Sequence, residues 1–340
     1  MVFASTLDAG AGAKALIASL ATDSSISGSR LAERFGVTRA AVWKQVEQLR
    51  ALGLPVIADT GRGYRLQAPV DLLDSRRIEC ELMRHAAQTA HMPSLGDIAV
   101  HWRLDSTNSE LLRRAAHDPR DRLACLAEIQ SAGRGRRGRD WHLPLGGGLA
   151  LSLLKRFEGS MSSLAGLSLA AGLAIVRGLD DCGVESIALK WPNDVVANGR
   201  KLAGILVELG GEALGPCHAV IGIGINVRLD RKRGTSVDQP WTDLATLARC
   251  APPERNQLAL AILKHLLVAL DTFAIEGFSA FRADYAKRDT LAGKPVRASW
   301  SGGTREGIAI GVDARGALRV RDAGGEFRVD GGEVSVRPIE

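Results

Sequence analysis

Cysteine is scarce in this 340-residue chain: Cys80, Cys125, Cys182, Cys217 and Cys250 are odd in number and widely scattered. No CxxC pair and no Cys/His cluster occurs, which argues against a disulfide framework or structural zinc and points to a reducing, cytoplasmic setting. A membrane span needs about 20 apolar residues, and the most apolar helical stretch, Leu164 to Val176, stops at Arg177. The N-terminus carries Asp8 and no cation before Lys14, unlike a secretory signal. Internal repeats, low-complexity tracts and a GxxxxGK[ST] phosphate loop are also missing. What is present, 46% hydrophobic and 24% charged residues, suffices for the cores of two or three domains.

The net charge of +6 favours anionic partners. Residues 1–70 hold Lys14, Arg30, Arg34, Arg39, Lys44, Arg50, Arg62 and Arg65 against Asp8, Asp23, Glu33, Glu47 and Asp59, so eight minus five leaves +3. A tighter cluster, Arg134, Arg136, Arg137 and Arg139, falls within six residues with glycines between.

In the first basic region Leu16, Ile17 and Leu20 form a helical face that ends near Asp23 and Ser24. A second helix is expected from Ser29 to Phe35, burying Leu31 and Phe35, with Gly36 in the left-handed C-terminal position. Thr38 can cap a third, whose Val42, Val46 and Leu49 recur at i, i+4 and i+7. Helix, glycine turn, helix is a helix-turn-helix pattern. Arg39, Trp43 and Lys44 lie off its apolar stripe, and two short strands around Thr60 to Gly63 make a wing with a basic tip. Such a unit reads DNA with the third helix in the major groove while Arg62 and Arg65 reach phosphates. A protein-contact domain with solvated charges is the other reading; the coincidence of basic helix and basic wing favours DNA.

Gln67 to Val70, with Pro69, reads as a linker. Asp74 or Ser75 caps a helix carrying Ile78 and Leu82, broken before Pro93. Strands are expected at Ile98–Trp102, Leu123–Gln130, Ile187–Lys190, Leu202–Leu209 and His218–Ile225. A core helix is expected over Ser162–Asp181, with Leu164, Leu167, Ala171 and Ile175 on one side and Gly183 closing it. The polar run Leu104-Asp-Ser-Thr-Asn-Ser109, taken alone, reads as no more than a helix cap.

Gly133-Arg-Gly-Arg-Arg-Gly138 formally matches GxGxxG, but a dinucleotide fingerprint should open an apolar helix. Here Arg139-Asp-Trp-His-Leu-Pro144 follows, then Gly146-Gly-Gly148 and the strand-like Leu149–Leu154, so that reading is rejected. Glycine lets a backbone approach a ligand closely, and arginine offers planar contacts to phosphate. Clustered arginines repel one another until an anion arrives; a charge pair at 4 Å contributes about 4 kcal/mol at a dielectric near 20, enough to help order a loop. A solvated basic turn or a nucleic-acid patch remains open. Lys190-Trp-Pro-Asn-Asp194 ends a strand in a rigid turn. Lys201 stands at the mouth of an apolar strand, where it can hold a carboxylate beside a phosphate or simply snorkel. Gly222-Ile-Gly-Ile-Asn226 supplies a strand that a ligand can approach, or one that packs tightly.

With Asp105-Ser-Thr-Asn108, Gln130-Ser-Ala-Gly-Arg-Gly-Arg-Arg-Gly-Arg139, Lys190-Trp-Pro-Asn-Asp194, Lys201-Leu-Ala-Gly204 and Gly222-Ile-Gly-Ile-Asn226 in this order, the chain resembles the bacterial bifunctional biotin protein ligases and biotin operon repressors over nearly its whole length. The resemblance implies an α+β multi-domain protein. It would have a winged helix-turn-helix over 1–66, a linker over 67–70, a central mixed α/β domain of the biotin/lipoate ligase type over 71–290 and an SH3-like β-barrel over 291–340. Short strands at Pro295–Ser299, Arg305–Val312, Ala317–Arg321, Glu326–Asp330 and Val334–Val336 agree with that last part. The helical run Leu258–Phe273 before them is interrupted by Lys264 and His265, the latter read as structural.

The implied activity is activation of biotin by ATP and magnesium to biotinyl-5'-AMP, then transfer to a lysine of the biotin carboxyl carrier protein of acetyl-CoA carboxylase. By resemblance Ser106, Thr107, Asn108 and Gln130 hold the biotin head, and Arg134, Gly135 and Arg136 close over biotin and the phosphate. Lys201 contacts carboxylate and α-phosphate and, with Arg136 and Asp194, is catalytic. Arg137, Arg139, Trp141, Asn193 and Asn226 serve the adenylate, with Trp141 over the adenine (core filling being its other reading), and Asp194 lies near the magnesium or the incoming lysine. Arg39, Lys44, Arg62 and Arg65 would contact operator DNA as part of a ligand-promoted homodimer, with no membrane involved. Two other classes stay open: a biotin-sensing repressor without turnover, which Lys201 and the arginine loop count against, and a ligase without operator binding. Lipoate ligase is disfavoured by the arginine-glycine loop.

Overall fold

The computed structural model describes residues 9–21, 24–68, 70–89, 92–229, 239–248, 251–300, 303–331 and 335–339. Asp8, Asp23, Pro69, Cys250 and Val334 lie outside the described residues. The N-terminal unit runs α1 (Ala9–Leu20), α2 (Gly28–Phe35), α3 (Arg39–Ala51), β1 (Val56–Asp59) and β2 (Gly63–Leu66). Side-chain caps start the second and third helices, Ser27 Oγ accepting from Arg30 N at 3.2 Å and Thr38 Oγ1 from Ala41 N at 3.1 Å. Gly36, at φ 62°, turns the chain between them. Leu31, Val42, Val46 and Leu49 are buried as expected; Phe35 is only half-buried because it sits at the rim, where α2 ends. The β1–β2 hairpin is antiparallel and tied to Ile26 by reciprocal bonds with Tyr64 at 2.9 Å.

The central unit follows as α4 (Ser75–Gln88), β3 (Asp97–Leu104), α5 (Thr107–Ala115), β4 (Leu123–Gln130), β5 (Gly148–Phe157), α6 (Leu167–Asp181), β6 (Ile187–Lys190), β7 (Asp194–Ala197), β8 (Arg200–Gly211), β9 (Cys217–Asn226), α7 (Leu244–Leu247), α8 (Arg255–Glu276) and α9 (Arg282–Arg288). Its sheet has the order β3-β4-β5-β9-β8-β7-β6, antiparallel except for β3–β4, which α5 connects as a crossover. Strand alternation sorts the two faces: Leu123 and Cys125 meet α5, whereas Ala124 and Leu126 join the larger core under α6 and α8. The expected helix from Ser162 starts late. A 3-10 turn covers Met161–Leu164, and the left-handed backbone of Gly166, at φ 84°, breaks the run; a Cβ there would also stand 2.7 Å from Phe278 Cβ, so only glycine fits.

The expectation that no helical stretch reaches membrane-spanning length does not hold. Met161–Asp181 and Arg255–Arg288 are long and apolar enough by composition, but 67% and 56% of their apolar windows are buried inside the protein, where α6 packs on α8.

The C-terminal strands are β10 (Pro295–Trp300), β11 (Gly303–Val312), β12 (Leu318–Asp322), β13 (Gly325–Val329) and β14 (Ser335–Pro338). They form an antiparallel sheet of order β13-β12-β11-β10-β14. The expected closed barrel is not found: among the described residues β14, four residues long, pairs with β10 and nothing pairs it to β13. Val296, Ala298, Leu318 and Val320 continue the core of the central unit, and Ile129 and Leu145 of that unit complete the core of the N-terminal one.

The segment joining N-terminal and central units is pinned by a buried ion pair invisible in the sequence. Arg255 Nη1, at the start of α8, meets Glu128 Oε2 on β4 at 2.9 Å, with side chains 1% and 0% exposed. Glu128 Oε1 accepts from Leu73 N at 2.6 Å, Arg255 also donates to the Asp71 carbonyl, and Asn256 bonds Leu72 O and Asp74 N at 2.8 Å. Removing Glu128 leaves the buried Arg255 only the partly exposed Asp71 carboxylate, 3.5 Å from its Nε, as counter-charge among the described residues, and strips the acceptor from the Leu73 N–H. Glu128→Leu is therefore expected to cost about 3–5 kcal/mol in denaturant unfolding, and adding Arg255→Met should restore most of the loss.

Candidate functional site

The turn from β3 into α5 builds one wall of a small pocket. Asp105 receives both Arg113 Nη1 (2.8 Å) and Nη2 (2.9 Å) and the Ser106 N–H (2.8 Å); led by the arginine bonds, these hold its carboxyl down from 3.8 to about 2. Ser106 occupies the N-cap position but makes no cap bond, so the plain helix-cap reading of this run fails. Thr107 N donates to Gln130 Oε1 at 2.8 Å, and Ser152 Oγ lies 2.7 Å from Thr107 Oγ1 and 2.6 Å from Asn108 Oδ1. Asn108 Nδ2 donates to Leu206 O (3.2 Å) and Glu208 Oε2 (2.7 Å). Both ends of that amide are therefore bonded to protein.

The arginine loop closes the opposite side. Between β4 and β5 it makes one 3-10 turn over Arg136–Gly138 and no long helix, in line with rejection of the dinucleotide fingerprint. Arg134 Nη2 meets Glu208 Oε2 at 3.0 Å, and Arg136 Nη1 donates to Asn193 Oδ1 at 3.0 Å. Burial pushes the Arg136 guanidinium below its ordinary value. Arg137 and Arg139 are exposed, the former at φ 60°.

Trp141 lies on the glycines of the sheet. A Cβ at Gly224 would stand 2.3 Å from Trp141 Nε1 and one at Gly204 3.3 Å from its ring, while one at Gly222 would strike Asn108 Oδ1 at 2.2 Å. Its buried Nε1 has no partner among the described residues. Lys201 Nζ sits 5.5 Å from the ring centroid, a cation–π distance, and 2.7 Å from Asp194 Oδ1. Asn193 Nδ2 donates to Ile205 O at 2.8 Å, and Asn226 Nδ2 to Thr242 O at 2.9 Å.

The small pocket opens into a cleft of about 1660 Å³, and Gln130, Gly135, Arg136, Trp141, Asn193 and Lys201 line both. Such a volume exceeds that of an ordinary single-ligand site. The cleft is also walled by Leu52 and Pro55 of the N-terminal unit, Lys190, Trp241 and Arg337. Burial lowers the Lys190 ammonium below its usual range. Three contributors escaped sequence reasoning. Trp241 is held beside Lys201 by Lys201 N to Pro240 O and Thr242 N to Lys201 O, both 2.9 Å, but carries no periodic signal. Glu208 and Arg337 matter only through partners distant in sequence. Among the described residues no group of three or more His, Cys, Asp or Glu could hold a metal ion. His265 bonds Asp181 at 2.9 Å on the α6–α8 surface, a structural contact as expected.

On the N-terminal unit Arg39, Lys44 and Arg62 are exposed, with Trp43, 57% exposed, between the first two. Arg65 differs from expectation: Asp59, diagonal to it across the hairpin and paired in register with Gly63, takes its Nε at 3.0 Å, so it is not a free phosphate ligand.

Residues 100–226 match the biotin/lipoate A/B protein ligase family, residues 13–65 a helix-turn-helix domain and residues 292–337 the biotin protein ligase C-terminal domain. The chain is 38% identical over 325 residues to the bifunctional ligase/repressor BirA of Salmonella typhimurium, covering 96% of this chain and 97% of that one. It is 31% identical over 298 residues to its Bacillus subtilis namesake (86% and 88%). Among solved structures, biotin protein ligase from Aquifex aeolicus in complex with biotin and ATP superposes with TM-score 0.62 at 26% identity, covering 72% of this chain and all of that one.

The Asp105–Arg113 pair gives a pH test. A depressed folded-state value means stabilisation present above about 3.8 and lost as pH falls toward about 2. Carboxyl NMR titration should place Asp105 near about 2, and Arg113→Ala should return it toward the ordinary aspartate range.

Proposed function

The chain belongs to the bifunctional biotin ligase/repressor family, and on that premise we propose how its residues divide the work. The protein is a biotin–protein ligase. A biotin carboxylate oxygen attacks the α-phosphorus of ATP, the α–β P–O bond breaks and pyrophosphate leaves. A carrier lysine, as free amine, then attacks the acyl carbon of biotinyl-5'-AMP, AMP leaves with the bonding pair, and the amide nitrogen loses its proton. The observation that carries this reading is the position of Lys201, which lines the small pocket and the large cleft at their junction.

A ureido ring needs donors and acceptors together, which Ser106, Thr107, Gln130 and the Arg134–Gly135 backbone offer in the small pocket. Asn108, its amide already bonded, shapes that pocket. Trp141 packs against Gly204 and Gly224 and so favours the biotin side over the adenine assigned to it by resemblance; Trp241, lining the cleft alone, is the aromatic for adenine, with Asn226 nearby. Lys201 and Arg136 stabilise charge on the α-phosphoryl group, Asp194 orients Lys201, Asn193 orients Arg136, and Arg137 and Arg139 meet phosphate. Loop closure shields the mixed anhydride from water. For magnesium the protein offers Asp194 at most, already paired to Lys201. The ion would arrive on phosphate oxygens, as is usual for its sites, and would offset their charge there.

The helix-turn-helix makes the protein a repressor as well, with Arg39, Lys44 and Arg62 as its operator contacts. Biotinyl-adenylate would promote pairing with a second copy. The stretch of β8 from Leu206 to Gly211, beyond its last β7 partner Gly204, offers an unpaired strand edge for that contact. The working division is 1–66, 67–70, 71–290 and 291–340, the last SH3-like in kind.

With ATP, magnesium, radiolabelled biotin and a carrier domain, the wild type should label the carrier and Lys201→Ala should not; biotin binding without label would leave only the sensing repressor. Arg39→Ala with Lys44→Ala removes two cations from each of the two paired heads, so it should weaken operator binding and flatten its dependence on log salt by up to about four units, close to one per phosphate contact. An unchanged slope would remove these residues from the DNA interface.

A further inference from the structure

The reading above leaves one charged group beside the small pocket unassigned. Glu208, on β8, has a side chain 24% exposed, and a single oxygen, Oε2, accepts from Asn108 Nδ2 at 2.7 Å and from Arg134 Nη2 at 3.0 Å. Asn108 is buried and anchored by Ser152 and the Leu206 carbonyl. The carboxylate is therefore fixed from the protein side and presents a stationary anion to the arginine loop. Side chains tie that loop at more than one point: Arg136 donates to Asn193 in the β6–β7 turn and feels the charge of Asp194, and Arg134 pairs with the Glu208 carboxylate on β8. Four arginines within six residues repel one another, and the carboxylate held against Arg134 offsets part of this repulsion before any phosphate arrives.

We propose that Glu208 is a positioning residue: it latches Arg134, and through it the arginine loop, over the pocket, and thereby sets how long biotin and its adenylate stay bound. The proposal rests on the biotin reading of that pocket. Glu208 touches no reacting atom in it.

Glu208→Gln separates the two bonds. Its carbonyl oxygen still accepts from Asn108, so the pocket wall stays, while charge attraction to Arg134 is lost. Stopped-flow displacement of biotin should show dissociation about fivefold faster, equivalent to about 1 kcal/mol for a partly exposed ion pair. The change should fall on KM for biotin rather than on kcat, with the thermal midpoint kept. In an Arg134→Gln background Glu208→Gln should add nothing, since the pair is already broken. An unchanged dissociation rate, or an equal effect in that background, would overturn the latch. Wild-type protein that binds no biotin would instead overturn the ligase reading beneath it.

Discussion

The site depends on missing atoms. Gly204, Gly222 and Gly224 put three bare backbone positions side by side on β8 and β9, and each is met at once by something a Cβ would displace: Lys201 and Trp141, Asn108, and Trp141 again. Because nothing projects from the sheet there, the start of α5 and the tryptophan after the arginine loop can both settle onto it. The space between them becomes a pocket whose floor is peptide backbone. Everything charged is then arranged around that floor: Lys201 and Asp194 at the mouth, Arg134 and Arg136 across the top.

Electrostatics follow from the same geometry. The cleft gathers Lys190, Lys201, Arg136, Arg137, Arg139 and Arg337, and burial already weighs against the charged forms of Lys190 and Arg136. A cation held against its desolvation cost gains most from an incoming anion. A triphosphate or an acyl phosphate therefore relieves the site, and the carboxamide of Asn193 keeps Arg136 aimed meanwhile.

Legibility in the sequence tracked the range of the interactions. The helix-turn-helix was readable because its signals are local: Ser27 and Thr38 cap, Gly36 turns, and Val42, Val46 and Leu49 repeat. The motif residues of the pocket were readable because glycine, arginine and amide residues are unusual in combination. What escaped was set across space. Arg65 looks free until Asp59 is seen on the diagonal across the hairpin. The start of α6 moves to Leu167 because Gly166 is in the left-handed conformation, and Phe278 leaves room there for no side chain. Short β7 left no alternation to detect, and Trp241 and Glu208 acquire meaning only beside Lys201 and Arg134.

The two apolar clusters do not respect the division into three units. Ile129 and Leu145, which flank Gln130 and the arginine loop in the chain, are buried with Leu16, Leu31, Val42 and Leu49, and Leu145 N bonds the carbonyl of Leu52 at the end of α3. The DNA-reading head is thus not a detachable module. Cutting it away would bare greasy residues on either side of the catalytic loop, so grafting this head onto another enzyme, or shortening the chain to its ligase alone, calls for resurfacing those two positions as well as choosing a cut site.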